Sequence, residues 1–240
     1  MNWQNVATIA RKDITVMMTR RSLRIALIVL PLGLAVLFSQ IIARGNIPAA
    51  QLPKTLNAFL FFFMIYTGAL PANLASYSMV GEKVERSLEP LLATPASDGE
   101  ILLGKALAAL VPPLVVMWAG MVALMTLCDA ATRGTLGYLY FPNWMAAVTV
   151  FGLAPLLGIM AVAFSVLMSA RVSEVRTAQQ LGALTAIPGV VLYIGLVSGA
   201  FSLDLASLAV MCGVFAAVDA GLGLAARATF HREEILTRWA

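Results

Sequence analysis

The sequence predicts an all-α membrane protein that crosses the bilayer six times, and its composition and long apolar runs are the observations that predict it. Of the 240 residues, 60% are hydrophobic and 12% are charged, against about 45–50% and about 25% in soluble globular chains. A transmembrane helix needs about 20 consecutive apolar residues. Six such runs occur, at 25–43, 56–80, 106–128, 144–169, 179–198 and 204–226. The composition excludes a disordered chain, a nucleic-acid-binding domain and a disulfide scaffold.

We expect the six spans to be helices, because the strands of a transmembrane barrel would be short segments of alternating hydrophobicity. No Lys or Arg lies inside any run, and the acids within them are Asp204, at a boundary, and Asp219. Five runs contain proline. In a packed bundle this predicts kinks rather than breaks, because neighbouring helices satisfy the freed carbonyls.

Basic residues predict the orientation, since cytoplasmic loops of membrane proteins carry an excess of Lys and Arg. Thirteen of the sixteen Lys and Arg residues lie in the N-terminal segment, the second and fourth connections and the C-terminal tail. The other three are Arg44, Lys54 and Arg133. We therefore expect a multi-pass protein with both termini in the cytoplasm.

Residues 3–19 predict an amphipathic helix ahead of the first span. Its apolar residues recur at steps of three and four, at Trp3, Val6, Ala10, Ile14 and Met17. Polar residues recur in the same rhythm on another face, at Asn5, Thr8, Lys12, Thr15 and Thr19. Because this helix leads straight into a span, we expect it to lie in the cytoplasmic interface of the bilayer. A surface helix packed on protein is the alternative.

The connection between the second and third spans, residues 81–105, concentrates five of the twelve acids of the chain. Glu82, Glu85 and Glu89 step by three and four and so share one helical face, opposite an apolar one. Two prolines limit any helix here to two or three turns. We expect Asp98 to cap the segment that leads into the third span. The pattern predicts a short amphipathic cytoplasmic helix, with a solvated loop as the alternative.

Two segments resemble ABC-2-type transporter permeases, the membrane subunits of ABC exporters, and are closest to the sodium-exporter and multidrug-exporter branch. The first reads Glu82-Lys-Val-Glu-Arg-Ser-Leu-Glu-Pro-Leu-Leu-Ala-Thr-Pro95, with Glu100-Ile-Leu-Leu-Gly-Lys105 after it. The second follows the fourth span and reads Ser169-Ala-Arg-Val-Ser-Glu-Val-Arg-Thr-Ala-Gln-Gln180. The six-span layout and the amphipathic N-terminal helix also match, so the resemblance covers residues 1–240 as one permease domain.

The resemblance implies that the acidic segment is a coupling helix, which docks in a cleft of a partner ATPase. The coupling residues would be Glu82, Glu85, Arg86, Glu89, Leu91, Leu92, Thr94 and Pro95, with a second cytoplasmic contact at Arg171 and Arg176. Residues 1–22 would be the elbow helix. Two features depart from the family pattern, since Ser87 replaces a common Thr and the first outer connection is only about ten residues long.

Residues 99–106 match the phosphate-loop spacing G-x-x-x-x-G-K. The next position is Ala106, where Ser or Thr would hold magnesium, and the segment leads into a membrane helix. We interpret the match as coincidence and expect no catalytic residue, cofactor or metal site in this chain. ATP and magnesium would bind a separate ABC ATP-binding subunit, present in two copies. A second permease copy or a paralogue and the lipid bilayer are the other expected partners, and nucleic acid is not one.

Polar side chains within the spans are the candidates for a substrate pathway. In the second span, Tyr66, Asn73 and Tyr77 share one helical face. The resemblance implies that the second and fifth spans line the cavity, which adds Gln180, Thr185 and Tyr193. Hydrogen bonding between helices is the alternative for all six residues.

Asp219 is a costly residue near the middle of the sixth span, since a carboxylate there costs on the order of 2.5–3.5 kcal/mol on insertion scales. A cation or proton site in the pathway is the functional interpretation. The structural interpretation is a pair with a neighbouring helix end or contact with water, and nearby glycines, which permit close approach, favour it.

We therefore expect the permease subunit of an ATP-driven ABC exporter in the inner membrane of a prokaryote, working as a homodimer or with a related permease. Its substrate would be a cation such as sodium or a small hydrophobic compound. A haem-exporter-like permease of cytochrome maturation and a membrane scaffold that transports nothing are the alternatives.

Overall fold

A computed structural model describes residues 1–19, 21–78, 96–169, 172 and 174–229, except for the side chains of Ser22 and of residues 227–229. In these residues the regular structure is entirely helical, which agrees with the predicted all-α class. The seven long helices are α1 (Trp3–Thr19), α2 (Arg21–Arg44), α3 (Leu52–Ser76), α4 (Asp98–Leu136), α5 (Trp144–Ser169), α6 (Val175–Ser198) and α7 (Leu205–Thr229). The last six are long and apolar enough to span a membrane, so the predicted number of spans is confirmed.

The ends of the helices differ from the predicted ends by different amounts. α5 has the predicted bounds, whereas the run predicted at 106–128 is only the middle of α4. α4 has 39 residues, and at 1.5 Å per residue it is about 58 Å long. Since the hydrocarbon core is about 30 Å thick, α4 is long enough to extend beyond it at both ends.

α4 begins with a capping box rather than at the predicted cap. Ser97 is the N-cap, and its hydroxyl accepts a hydrogen bond from the Glu100 amide at 3.4 Å. The Glu100 carboxylate in turn accepts from the Ser97 amide at 3.1 Å. The prediction that Asp98 caps this helix was wrong, because Asp98 is already its first residue. Residues 98–105, which the sequence analysis placed in the connection, are therefore the first turns of α4.

The prolines of the spans lie within helices, as predicted, and the backbone around them differs from helix to helix. In α6, a 3₁₀ segment, Leu184–Ala186, comes just before Pro188. α3 and α4 continue as α-helix through their prolines. In α5, a five-residue π-helical segment, Thr149–Leu153, comes just before Pro155. The indole Nε1 of Trp118 donates to the Val150 carbonyl in this segment at 2.9 Å. A neighbouring helix thus satisfies a carbonyl of the altered segment, as burial in lipid requires.

α3 is the central helix of the bundle and packs against α4, α5 and α6. Phe61, Phe63 and Met64 of α3 are fully buried. α2 packs on α4, and α7 packs on α5. The outer helices α2 and α7 keep many apolar side chains exposed, which suits helices that face lipid.

Two acids, the buried Asp129 and the exposed Asp204, accept hydrogen bonds from backbone amides at the ends of helices. Asp129 of α4 is 7% exposed, and its carboxylate accepts hydrogen bonds from the Tyr140 and Phe141 amides at 3.1–3.2 Å. Asp204 precedes α7 and accepts from the Ser207 amide at 2.9 Å, as a helix N-cap does. Interactions with the Ser207 side chain and amide lower the pKa of the Asp204 carboxyl from its ordinary value.

Small residues allow α3 and α6 to approach closely. A Cβ atom at Gly68 would lie 2.6 Å from the Thr185 carbonyl oxygen, and one at Gly189 would lie 3.0 Å from the Met64 carbonyl oxygen. Transmembrane helices commonly use small residues in this way, since lipid gives no hydrophobic drive for helices to associate.

We predict that Gly68→Ala lowers the free energy of unfolding by about 1–3 kcal/mol, because the added methyl group forces backbone atoms apart. Thermal unfolding of the purified protein in detergent measures the change. Gly33→Ala is the matched control, since a Cβ at Gly33 meets nothing within 4 Å. Equal midpoints for the two variants would contradict the close packing of α3 on α6.

Candidate functional site

α1 packs along the beginning of α4 through one face. The buried residues of this face are Val6, Ile9, Ala10, Asp13 and Met17. The predicted amphipathic helix is therefore present, and much of its apolar stripe contacts protein. Trp3, which the prediction placed in that stripe, is 64% exposed, and Val16 is also exposed. An interfacial position of α1 remains a prediction, and these exposed side chains are available to lipid.

A buried ion pair joins α1 to α4. The Nζ atom of Lys105 lies 3.2 Å from Oδ2 of Asp13. The side chains are 1% and 4% exposed. The hydroxyl of Ser78, just beyond the end of α3, donates to the same oxygen at 3.0 Å, and Lys105 donates to that hydroxyl at 3.4 Å. We call Asp13, Ser78 and Lys105 the junction cluster, since they connect three separate helical segments.

Glu100 fastens α1 to α4 a second time. Its carboxylate accepts hydrogen bonds from the Asn2 amide and, at 2.9 Å, from the Asn5 side-chain amide. Between this contact and the junction cluster, a Cβ atom at Gly104 would lie 2.9 Å from Cβ of Ile9. Only a glycine at position 104 therefore lets the two helices come this close.

The structure explains the segment that matches the phosphate-loop spacing. Residues 99–106 lie inside the continuous helix α4, not in a loop between a strand and a helix. Gly104 serves the close approach of α1, and Lys105 binds Asp13. These observations support the interpretation that the match is coincidence. Within the described ranges, no three His, Cys, Asp or Glu side chains gather as a metal site.

Most of the predicted coupling residues lie outside the described residues. These are Glu82, Glu85, Arg86, Glu89, Leu91, Leu92, Thr94, Pro95 and Arg171. Arg176 is exposed in the first turn of α6. Ser78 stands directly before residues 79–95, and Ser97, Glu100 and Lys105 follow them. Both ends of the predicted coupling connection are therefore bonded to each other and to α1.

Three of the predicted pathway residues lie on one half-buried face of α3. Tyr66, Asn73 and Tyr77 are each partly exposed, although their neighbours toward the core are buried. The Phe62 ring contacts the rings of Tyr66 and Tyr193 at centroid distances of 6.0 and 5.4 Å. Tyr193 of α6 therefore lies beside this face.

Gln180 belongs to the same region by helix register. α3 and α6 run antiparallel, with Gly68 against Thr185 and Ser76 against Ala178. This register places Gln180, which is exposed, at the level of Asn73. We call Tyr66, Asn73, Tyr77, Gln180 and Tyr193 the α3–α6 strip.

Thr185 has a packing role instead. It is 5% exposed, and its hydroxyl is within hydrogen-bonding distance of the carbonyls of Gly68, at 2.9 Å, and Gly182, at 2.6 Å. Asn73 also bonds within the protein, since its side-chain amide donates to the Ala69 carbonyl at 2.9 Å. The alternative of interhelical hydrogen bonding therefore describes Thr185, whereas Asn73 bonds within its own helix and stays accessible.

Asp219 is separate from the α3–α6 strip, because α7 packs chiefly against α5. Both of its carboxylate oxygens are buried, and neither has a hydrogen-bond partner in the part of the chain that the structure describes. The expected pair with a neighbouring helix end is thus not formed within those residues. The helical segments packed against α7 in α5 contain no ionisable side chain.

Six apolar helices, of which α3 is the central one, define a multi-pass helical membrane protein. Residues 7–211 match the model of a family described as ABC-2 family transporter protein. The chain belongs to this family and is a membrane subunit of an ABC-2 transporter, as predicted. The match does not distinguish branches of the family. No curated protein matches the chain.

The sequence analysis missed the junction cluster. Lys105 was counted as one of the basic residues on the cytoplasmic side, and Asp13 was assigned to neither face of α1. One signal was present, because Asp13 lies three residues after Ala10 and four before Met17. An acid at an apolar position of an amphipathic helix indicates a buried partner.

We predict that Lys105→Met lowers the free energy of unfolding by about 3–5 kcal/mol, because it removes the nearest cation from the buried Asp13 carboxylate and leaves Lys12, a half-exposed side chain whose Nζ lies 4.0 Å away. The double variant Asp13→Leu, Lys105→Met should recover most of this loss, since neither charge is then buried. Unfolding of the purified protein in detergent measures both. Lys54→Met, at an exposed lysine, is the control, and the pair assignment fails if the double variant is less stable than Lys105→Met.

Proposed function

We propose that this chain is the permease subunit of an ATP-driven exporter, driven by two copies of a separate ABC ATP-binding subunit. The observation that carries the proposal is the family match over residues 7–211. Two permease copies, or this chain and a paralogue, would form the membrane unit in a prokaryotic inner membrane. The motifs at residues 82–105 favour the sodium-exporter and multidrug-exporter branch.

The contacts around residues 79–95 support a coupling role for this connection. Its two ends lie at Ser78 and Ser97, and each is linked to α1 through a carboxylate, of Asp13 and Glu100 respectively. An ATPase that pushes on the connection would therefore move the ends of α3 and α4 together with α1. Since α3 also carries most of the α3–α6 strip, this movement would reach the proposed pathway.

The α3–α6 strip supports a cargo that is a cation or a small hydrophobic compound. The strip combines phenol and amide groups with the apolar surface of Phe62. Its side chains remain partly exposed in the single chain. Two such strips facing each other across a dimer would enclose a cavity of mixed polarity. Opening of the dimer by the ATPase would change access to that cavity, as in rigid-body switching.

We predict that replacing Glu82, Glu85 and Glu89 by Lys reduces permease-stimulated ATP hydrolysis by about tenfold. A change of this size needs a loss of only ~1.4 kcal/mol of interaction free energy between the permease and the ATPase. The reason is that reversed charge disrupts an acidic docking face. Hydrolysis by the co-purified ATPase in nanodiscs measures it. Gln51→Lys controls for added positive charge, since Gln51 is exposed in the first predicted outer connection.

The same experiment separates an exporter from a scaffold. A scaffold would bind the ATPase without stimulating it, in the wild-type chain as well as in the variants. Unchanged stimulation in the triple variant, with a normal unfolding midpoint, would remove the coupling assignment from these three glutamates.

We also predict that Glu85→Cys is labelled only from the cytoplasmic side and Gln51→Cys only from the outside, since the distribution of basic residues sets this orientation. The measurement is labelling by an impermeant maleimide in intact cells and inverted vesicles, with the native Cys128 and Cys212 replaced by Ala. Labelling of Glu85→Cys from the outside would exclude contact between this segment and a cytoplasmic ATPase.

A further inference from the structure

We propose that Asp13, Ser78 and Lys105 are positioning residues for coupling, and that α1 is a working part of the transmission rather than only a membrane anchor. The inference deepens the proposed function and rests on it. In this mechanism the junction cluster makes α1, the end of α3 and the start of α4 move as one unit when the ATPase acts on residues 79–95.

The three residues lie close together beside the described residues that flank the connection, residues 79–95. Ser78 is the last described residue before it, and Lys105 lies in the third turn of the helix that follows it. Both bind the same Asp13 oxygen, at 3.0 and 3.2 Å. Asp13 is 65 residues before Ser78 and 92 before Lys105, so α1 links the residues on either side of the connection.

The chemistry of the cluster suits a rigid link. Apolar helix faces can slide past one another with little loss of contact, whereas a buried ion pair has one favourable geometry. Separating Lys105 from Asp13 would leave the buried Asp13 carboxylate with the Ser78 hydroxyl, at 3.0 Å, and with Lys12 Nζ, at 4.0 Å, as its remaining contacts. The cluster therefore resists the relative movement by which the end of α3 and the start of α4 would shift independently of each other.

Other contacts near the junction cluster also hold α1 against α4. The Glu100 carboxylate accepts hydrogen bonds from the backbone amide of Asn2 and the side-chain amide of Asn5. Gly104, which has no side chain, lets Ile9 pack closely against α4. α1 is thus held along α4 from its first residues to Asp13. A movement of α4 at its cytoplasmic end would carry α1 with it.

The opposite end of α4 provides a matched control. Asp129 is a buried carboxylate, 7% exposed, that accepts two backbone amides. Asp129→Asn therefore removes a buried charge of the same kind from the same helix bundle, far from residues 79–95. It should lower stability without affecting coupling.

The experiment compares Asp13→Asn, Lys105→Gln and Ser78→Ala with Asp129→Asn in nanodiscs that contain full-length permease. ATP hydrolysis is titrated with the ATPase subunit, which gives a maximum rate and a half-saturating concentration. We expect Asp13→Asn and Lys105→Gln to lower maximum stimulation by about fivefold or more, the lower range of coupling between sites. The half-saturating concentration should stay unchanged, because docking surfaces are intact.

Ser78→Ala leaves the buried charges paired, so it tests the cluster even if a charge variant does not fold. We expect it to lower maximum stimulation less than Asp13→Asn and Lys105→Gln do. Lys105→Arg keeps the charge and should retain more stimulation than Lys105→Gln. Unfolding midpoints of all variants show whether a loss merely follows stability.

Each outcome decides a different point. Absence of stimulation by the wild-type chain overturns the proposed function itself. Stimulation by the wild type, with Asp13→Asn no more impaired than Asp129→Asn at equal stability, overturns the positioning role alone. A raised half-saturating concentration with an unchanged maximum would mean that the cluster shapes the docking surface, and it would also overturn the inference.

Discussion

The buried pair of Lys105 and Asp13 is the interaction on which the arrangement of α1 and the first turns of α4 depends. Each charge is nearly inaccessible to solvent and has the other within 3.2 Å. A pair of this kind adds little net stability compared with apolar packing, but losing one partner is expensive. The pair therefore defines position more than it adds stability, and it fixes α1 on α4 at one place along both helices.

Polar side chains between the spans must likewise form hydrogen bonds within the protein, because lipid offers none. Ser76, Ser165 and Thr185 each donate to a backbone carbonyl of a neighbouring helix. Glycines opposite them let the helices come close enough for these bonds to form. α3 takes part in all three contacts, which explains why it is the most buried of the six spans.

Hydropathy predicted the number of spans because burying apolar residues in lipid depends on local sequence alone. It did not predict the ends of α4, since Asp98–Lys105 is a charged extension whose helical structure depends on the Ser97–Glu100 capping box and on packing against α1. The α3 face of Tyr66, Asn73 and Tyr77 was predictable from helical spacing. The burial of Thr185 was not, because it depends on which helix lies opposite.

The junction cluster was the least predictable feature, since it joins residues separated by up to 92 positions. Lys105 alone looks like any basic residue at the cytoplasmic end of a span. Its role becomes visible only when α1 folds back along α4 and brings Asp13 to it. Family resemblance did not supply the pair either, because its motifs include Lys105 but not Asp13.

α3 connects the junction cluster to the α3–α6 strip, so the proposed transmission of movement depends on the continuity of this helix. Asn73 and Ser78 are separated by less than two helical turns. A displacement of Ser78 would therefore be absorbed only over this short length before it reached Asn73. Pro71 lies between Tyr66 and this end, yet α3 remains helical across it. Gly158 of α5 faces Pro71 and the Thr67 carbonyl, and the Ser165 hydroxyl donates to Ala72 at 3.2 Å. α5 thereby supports α3 at Pro71, where proline would otherwise let the helix bend, and this support favours the proposed transmission of movement along α3.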